Sequence, residues 1–80
     1  MRLYPNPASD FVNLEVQAGM TGLLKISVYN EAGQLIATDN MMLIQGKNVH
    51  RIESTSWTSG LYHITTTFND VTHSQKVIVE

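Results

Sequence analysis

Any chemistry in this chain would have to come from three histidines, seven carboxylates and scattered hydroxyls, because it has no cysteine. A histidine-based metal site needs ligands at short, defined spacings. His50, His63 and His73 are not spaced that way. His63 and His73 fall on the two arms of a hairpin that turns at Asn69-Asp70, a register that sets His73 nearer to Thr67 than to His63. All three are therefore expected to be solvent-facing sheet histidines. No serine sits in a Gly-x-Ser-x-Gly elbow. Asp10, Asp39 and Asp70 are single carboxylates in turns, and no Asp-x-Asp-x-Asp calcium loop occurs. Catalysis requires a nucleophile, a base and an orienting group together. These residues are isolated, so no catalytic residue, metal or cofactor is expected. A chain of this size also leaves little room for a deep pocket beside its core.

The elements that carry these side chains must come from one small domain of 80 residues. Its net stability should be only a few kcal/mol, on the order expected for such scaffolds, and no disulfide is available to add to it. The net charge is −2, and the five basic residues Arg2, Lys25, Lys47, Arg51 and Lys76 form no stripe that would follow a phosphate backbone. Nucleic acid is therefore excluded as a partner. No apolar run is long enough for direct membrane insertion, and no charged n-region leads into an apolar h-region as in a signal peptide. Met1 directly precedes strand-like Arg2-Leu3-Tyr4. It reads as a cloning start, with the chain as the tail piece of a larger protein.

Alternation dominates the chain. Leu3-Tyr4 is extended, and Pro5-Asn6-Pro7 keeps Tyr4 and Asn6 extended, because each proline restricts the residue before it. Asn6, Ser9 and Asp10 have side chains suited to closing a local turn. Val12, Leu14 and Val16 alternate with Asn13 and Glu15 across Asp10–Val16, the period of a half-buried strand. A loop over Gln17–Gly22 follows. Leu24, Ile26 and Val28 alternate with Lys25, Ser27 and Tyr29, and the Asn30–Gly33 connection, with Gly33 at positive φ, leads to a partner strand over Gln34–Thr38. Asp39-Asn40 reads as a break. Met41–Ile44 is an apolar run that is either a strand buried on both faces or an edge that meets a partner, including a second copy of the chain. Gln45–Asn48 reads as a turn and Val49–Glu53 as a strand with mixed faces. Trp57 is expected to plug the base of the fold, its indole N–H finding a partner or water. Gly60–Phe68 and Ser74–Glu80 form a closing hairpin, with Tyr62, Ile64, Thr66 and Phe68 on one face and Ile78 turned outward between Val77 and Val79. The last strand runs to the final residue, which makes the terminal carboxylate part of its surface. About seven short strands with turn signals between them and no helical period predict an all-β protein, a small Ig-like antiparallel β-sandwich.

Three segments in order resemble one family. They are Leu3-Tyr4-Pro5-Asn6-Pro7-Ala8-Ser9-Asp10-Phe11-Val12-Asn13, then Ile26-Ser27-Val28-Tyr29-Asn30-Glu31-Ala32-Gly33-Gln34-Leu35-Ile36, and finally Ser59-Gly60-Leu61-Tyr62-His63-Ile64 with Gln75-Lys76-Val77-Ile78-Val79. Together they are similar to the C-terminal sorting domain, type A, of the type IX (Por) secretion system of Bacteroidota. The resemblance spans essentially the whole chain; Trp57 departs from it, where a smaller aliphatic residue would be expected.

The resemblance implies a secretion address at the end of an exported cargo protein. The cargo domain would lie N-terminal in the same chain and reach the cell surface or medium through the periplasm and outer membrane. The implied partners are the outer-membrane machinery, including a β-barrel shuttle, and a sortase-like cysteine peptidase that cuts upstream of Arg2. Tyr4, Pro5, Asn6, Pro7, Gly33, Gly60 and Tyr62 are the motif residues carried over. Pro5, Asn6 and Pro7 would fix how the cargo linker enters the sandwich, and Tyr62 would anchor the penultimate strand. Lys76, Val77, Ile78, Val79 and Glu80 would form the recognition strand, with strand addition at an open edge as one docking mode. The alternative is a fibronectin-like or carbohydrate-binding accessory sandwich of a surface enzyme, with Trp57 as a sugar platform.

Overall fold

The alternating apolar positions become the inner faces of two sheets. The computed structural model describes all 80 residues. Seven strands form: β1 (Arg2–Tyr4), β2 (Phe11–Ala18), β3 (Gly22–Asn30), β4 (Leu35–Leu43), β5 (Gly46–Glu53), β6 (Gly60–Phe68) and β7 (Val71–Val79). One sheet has the order β1-β2-β5 and the other β4-β3-β6-β7, and every strand pairing is antiparallel. Lettered A to G in chain order, this is ABE facing DCFG. The small antiparallel β-sandwich of seven strands is as the sequence pattern predicted; constant-type Ig domains place the fourth strand on the opposite sheet, so the Ig-like order here has that strand switched.

The core follows the alternation. Val12 and Leu14 from one sheet meet Leu24, Ile26, Val28, Ile64, Val77 and Val79 from the other, all buried in one cluster. Trp57 packs half-buried against that cluster, as expected of a plug.

Several boundaries differ from the sequence reading, each for a local reason. The strand β7 begins at Val71, three residues before Ser74, because Asn69 and Asp70 form a complete two-residue turn. Their φ values of 50° and 63° match the twist of the flanking strands, so Phe68 and Val71 pair directly across it. The Gln17–Gly22 loop shrinks to the three residues between Ala18 and Gly22. The turn placed over Gln45–Asn48 shrinks to Ile44-Gln45, because the buried Asn48 side chain clamps it. Its Oδ1 accepts from the Ile44 N–H at 3.0 Å, and its Nδ2 donates to the carbonyls of Ile44 and Gly46 at 2.8 and 3.1 Å. Gly33 takes φ +84° in the β3–β4 turn, as expected.

Asp39-Asn40 does not break the chain, and β4 runs through it. This strand is a sheet edge, where polar side chains still reach water. Nor is Met41–Ile44 buried on both faces: Leu43 is 1 % exposed, but Met42 and Ile44 are each 61 % exposed. His50 is not simply solvent-facing either. It is half-buried on β5, and its Nε2 lies 2.8 Å from Asp39 Oδ2 on the facing sheet, so the pair spans the open side of the sandwich.

The Asp39 carboxyl is held below its ordinary range, first by the Asn40 N–H donating to Oδ1 at 2.8 Å and then by His50. A carboxyl lowered in the folded state adds stability above its unfolded pKa, about 3.9. That contribution is lost as pH falls through the folded value. Asp39 is largely exposed, which keeps the effect small. Asp39→Asn is therefore expected to lower the urea midpoint slightly at neutral pH, with the two proteins converging as the solution is acidified. A gap that persisted in acid would assign the loss to something other than the carboxylate.

Candidate functional site

Two prolines without N–H groups flank Asn6, so the Pro5–Ala8 stretch has few donors of its own. Its polar groups find partners at the far end of the sequence. Asn6 Oδ1 accepts from the Ile78 N–H at 3.1 Å. Ala8 N–H donates to the Ile78 carbonyl at 2.7 Å, and the Glu80 N–H donates to the Ala8 carbonyl at 2.8 Å. Ala8 and Val79 form a parallel bridge, and Ala8 is fully buried. The expectation that Asn6 closes a local turn is thus corrected: its bond spans 72 residues. The same segment also grips the other sheet. Ser54, just after β5, donates its N–H to the Asp10 carbonyl at 2.9 Å and its Oγ to the Ser9 carbonyl at 3.3 Å. Residues 5–10 therefore lash the two sheets together along the β7 side.

The geometry of β7 explains why this edge is available. In the antiparallel ladder with β6, Ile78 lies opposite Leu61, and its backbone groups point away from β6 toward Ala8. Backbone groups two residues apart point the same way. Those of Thr72, Ser74 and Lys76 therefore face outward, where no further strand lies in the sheet order. Segment 6–8 covers only the last rungs of the edge. Of the five residues named for recognition, Lys76, Ile78 and Glu80 present side chains to solvent, whereas Val77 and Val79 belong to the core.

Most of the other motif residues gather at this end. Gly60, at φ +155°, opens β6 opposite Val79. Tyr62 lies between Asn30 and Val77 in the sheet, buried, with its hydroxyl donating to the Thr58 carbonyl at 2.6 Å. This is the arrangement of a tyrosine corner, which pins the start of the sixth strand of Ig-like sandwiches to the chain just before it. The Trp57 ring packs on Tyr62 with centroids 4.9 Å apart. Gly33 sits at the tip of the adjoining β3–β4 turn, and a hollow of about 200 Å³ separates that turn from Thr58–Tyr62. Tyr4 leads into the segment, but its side chain turns to the outer face of the smaller sheet, where its hydroxyl donates to Glu15 Oε1 at 3.3 Å.

At the opposite end the sheets part, and an apolar cleft of about 440 Å³ opens between Val16, Ala18, Leu24, Leu43 and Phe68. The expectation of little room for a deep pocket beside the core did not foresee this cleft. Ala18 and Gly19 are too small to fill the space. His73 is the one titratable side chain on its wall, and the molecule contains no cluster of His, Cys, Asp or Glu able to hold a metal ion.

Sequence reasoning located the motif residues but missed the bonding between residues 6–8 and 78–80. The available signal was the small apolar Ala8 directly after the second proline, a residue suited to close backbone approach. Asn6→Ala removes the side-chain bond to Ile78 while water still reaches the freed N–H. The expected cost is about 0.5–1.5 kcal/mol, accompanied by faster hydrogen exchange at the Ile78 amide. Unchanged exchange there would show that Asn6 does not hold β7.

No curated protein matches the chain significantly. A family model described as the secretion system C-terminal sorting domain matches residues 2–80. That family is one of sorting signals, not catalysts, and it directs export by type IX secretion through the outer membrane to the cell surface or the medium. With the match covering nearly every residue and the motif segments joined at one end of the sandwich, the chain belongs to the secretion system C-terminal sorting domain family.

Proposed function

We propose that this is a type A sorting domain of a Bacteroidota protein, and that the joined unit of Pro5–Ala8 with Lys76–Glu80 is the part its export machinery reads. The observation that carries the proposal is the pair of backbone bonds between Ala8 and residues 78 and 80, with Asn6 beside them. They couple the point where a cargo linker would enter to the strand offered for recognition, so displacement of one side loosens the other. The partners are the outer-membrane β-barrel shuttle and a sortase-like cysteine peptidase that cuts upstream of Arg2 and frees the cargo domain for attachment or release. Strand addition is confined to the outward backbone groups of Thr72, Ser74 and Lys76, because segment 6–8 occupies the rungs beyond. Pairing of two copies would use the β4 edge, where Met42 and Ile44 are exposed.

The carbohydrate-binding alternative draws no support from Trp57, whose ring is packed against Tyr62 and the core. The direct test fuses the chain to a fluorescent protein in a Bacteroidota host and measures fluorescence outside the cell. Export of the fusion, and its retention when the host lacks a type IX translocon, are the expected results. Retention in both hosts would refute the assignment.

A further inference from the structure

Within its strands, the outer face of the four-stranded sheet carries no carboxylate; Glu80, just past the end of β7, lies at its margin beyond Ile78. Strand parity turns alternate residues of β4, β3, β6 and β7 away from the core, and the register aligns them in rows. One row is made wholly of hydroxyls, running Thr38, Ser27, Thr65 and Ser74, with Thr65 Oγ1 donating to Ser74 Oγ at 3.3 Å. The neighbouring rows hold Lys25 on one side and His63 with Lys76 on the other. The seven carboxylates lie in turns, at the chain end, on the other sheet or on the inward side of β4.

The two sheets treat their cations differently. On the smaller sheet, Lys47 pairs with Glu15 at 3.5 Å and Arg51 with Glu53 at 2.7 Å, while Arg2, in no ion pair, lies over the Tyr4 ring at 5.0 Å. Lys25 and Lys76 are exposed and make no ion pair. Exposed apolar side chains flank the polar rows of the same face at both ends, Leu23 and Met42 at one and Leu35 and Ile78 at the other. The smaller sheet exposes only Val49 in this way. A molecule with net charge −2 that keeps the strands of one broad face free of acids, with unpaired lysines between apolar ends, has the complementarity of a docking surface.

From this we infer that the outer face of the β4-β3-β6-β7 sheet docks onto a protein surface that presents carboxylates to Lys25 and Lys76 and apolar groups to its two ends. A protein suits the face better than a glycan does, because the apolar cleft and the hollow beside the β3–β4 turn lie at the ends of the sandwich, away from these rows. The inference rests on the sorting-signal reading and adds to it the face and the chemistry of recognition.

The test titrates the isotope-labelled chain with a short polyglutamate peptide and, separately, with a uronate polysaccharide, while following backbone amide shifts. Peptide-induced shifts are expected at Lys25, His63, Thr65 and Lys76, with affinity falling about tenfold or more in the Lys25→Glu/Lys76→Glu double variant. A Lys47→Glu/Arg51→Glu control should leave it unchanged. In the reporter assay the same double variant should reduce export strongly, while Lys25→Arg/Lys76→Arg should preserve it. Thr65→Glu, which adds a single acid at the centre of the face, serves if the double variant does not fold. Shifts centred on Lys47 and Arg51, a response to the polysaccharide but not the peptide, or full export of folded charge-reversed variants would each overturn the inference. Failure of the unaltered fusion to leave the cell would count against the sorting-signal reading instead, and the peptide titration would then decide the inference about the face.

Discussion

Removal of Lys76–Glu80 is expected to abolish export of a fused reporter and to leave the chain without a cooperative unfolding transition. The truncation takes Val77 and Val79 out of the core, where they are 0 % and 2 % exposed. Each buried valine contributes about 1.5–3 kcal/mol, and a scaffold of this size has a net stability of only a few kcal/mol, on the usual order. The loss also strips the Ala8 N–H, the Ala8 carbonyl and Asn6 Oδ1 of their partners, so the segment that lashes the two sheets comes loose. Circular dichroism melts and extracellular fluorescence together provide the measurement. A truncated chain that melted cooperatively and was exported in full would contradict both the packing role and the proposed recognition role of this strand. Ile78→Asp separates the two roles, since Ile78 is half-exposed and turned away from the core. It should keep most of the stability and lose export.

Tyr62→Ala is the second large effect, with an expected cost of about 3–5 kcal/mol, as for truncation of other buried aromatic side chains. Tyr62 is 4 % exposed and fills the space between Trp57 and Val77. Tyr62→Phe keeps the ring and removes only the hydroxyl that donates to the Thr58 carbonyl at 2.6 Å. Thr58 is exposed, so water can take over the carbonyl, and the expected cost is about 0.5–1.5 kcal/mol. Urea titrations of the two variants measure the split. Equal losses would place the energy in the corner bond, whereas a neutral phenylalanine would reduce the corner to packing alone.

These two residue sets also show how far the sequence could be read. The positions of Val77, Val79 and Tyr62 on inward faces were visible in the alternation, as were the turns at Gly33 and at Asn69-Asp70. The ends of β4, β5 and β7 were not. Asp39 and Asn40 look like a break when taken by residue type, and only the edge position of β4 makes them acceptable inside a strand. Asn48 looks like a turn residue, and it serves the turn from inside β5, by reaching back to Ile44. His50 gave no sign of its partner, because Asp39 lies on a strand of the other sheet.

The amino-acid order by itself determined the all-β class, the inward and outward faces of most strands and the motif residues, because those properties depend on neighbours one to four positions away. Tertiary structure alone decided that β5 crosses over to pair with β2, that Asn6 and Ala8 hold Ile78 and Glu80, and that Lys25 and Lys76 share one sheet face. Each of these depends on which strands become neighbours. That choice is made by the joint packing of two sheets around one core, and side-chain periodicity within a single strand carries no record of it.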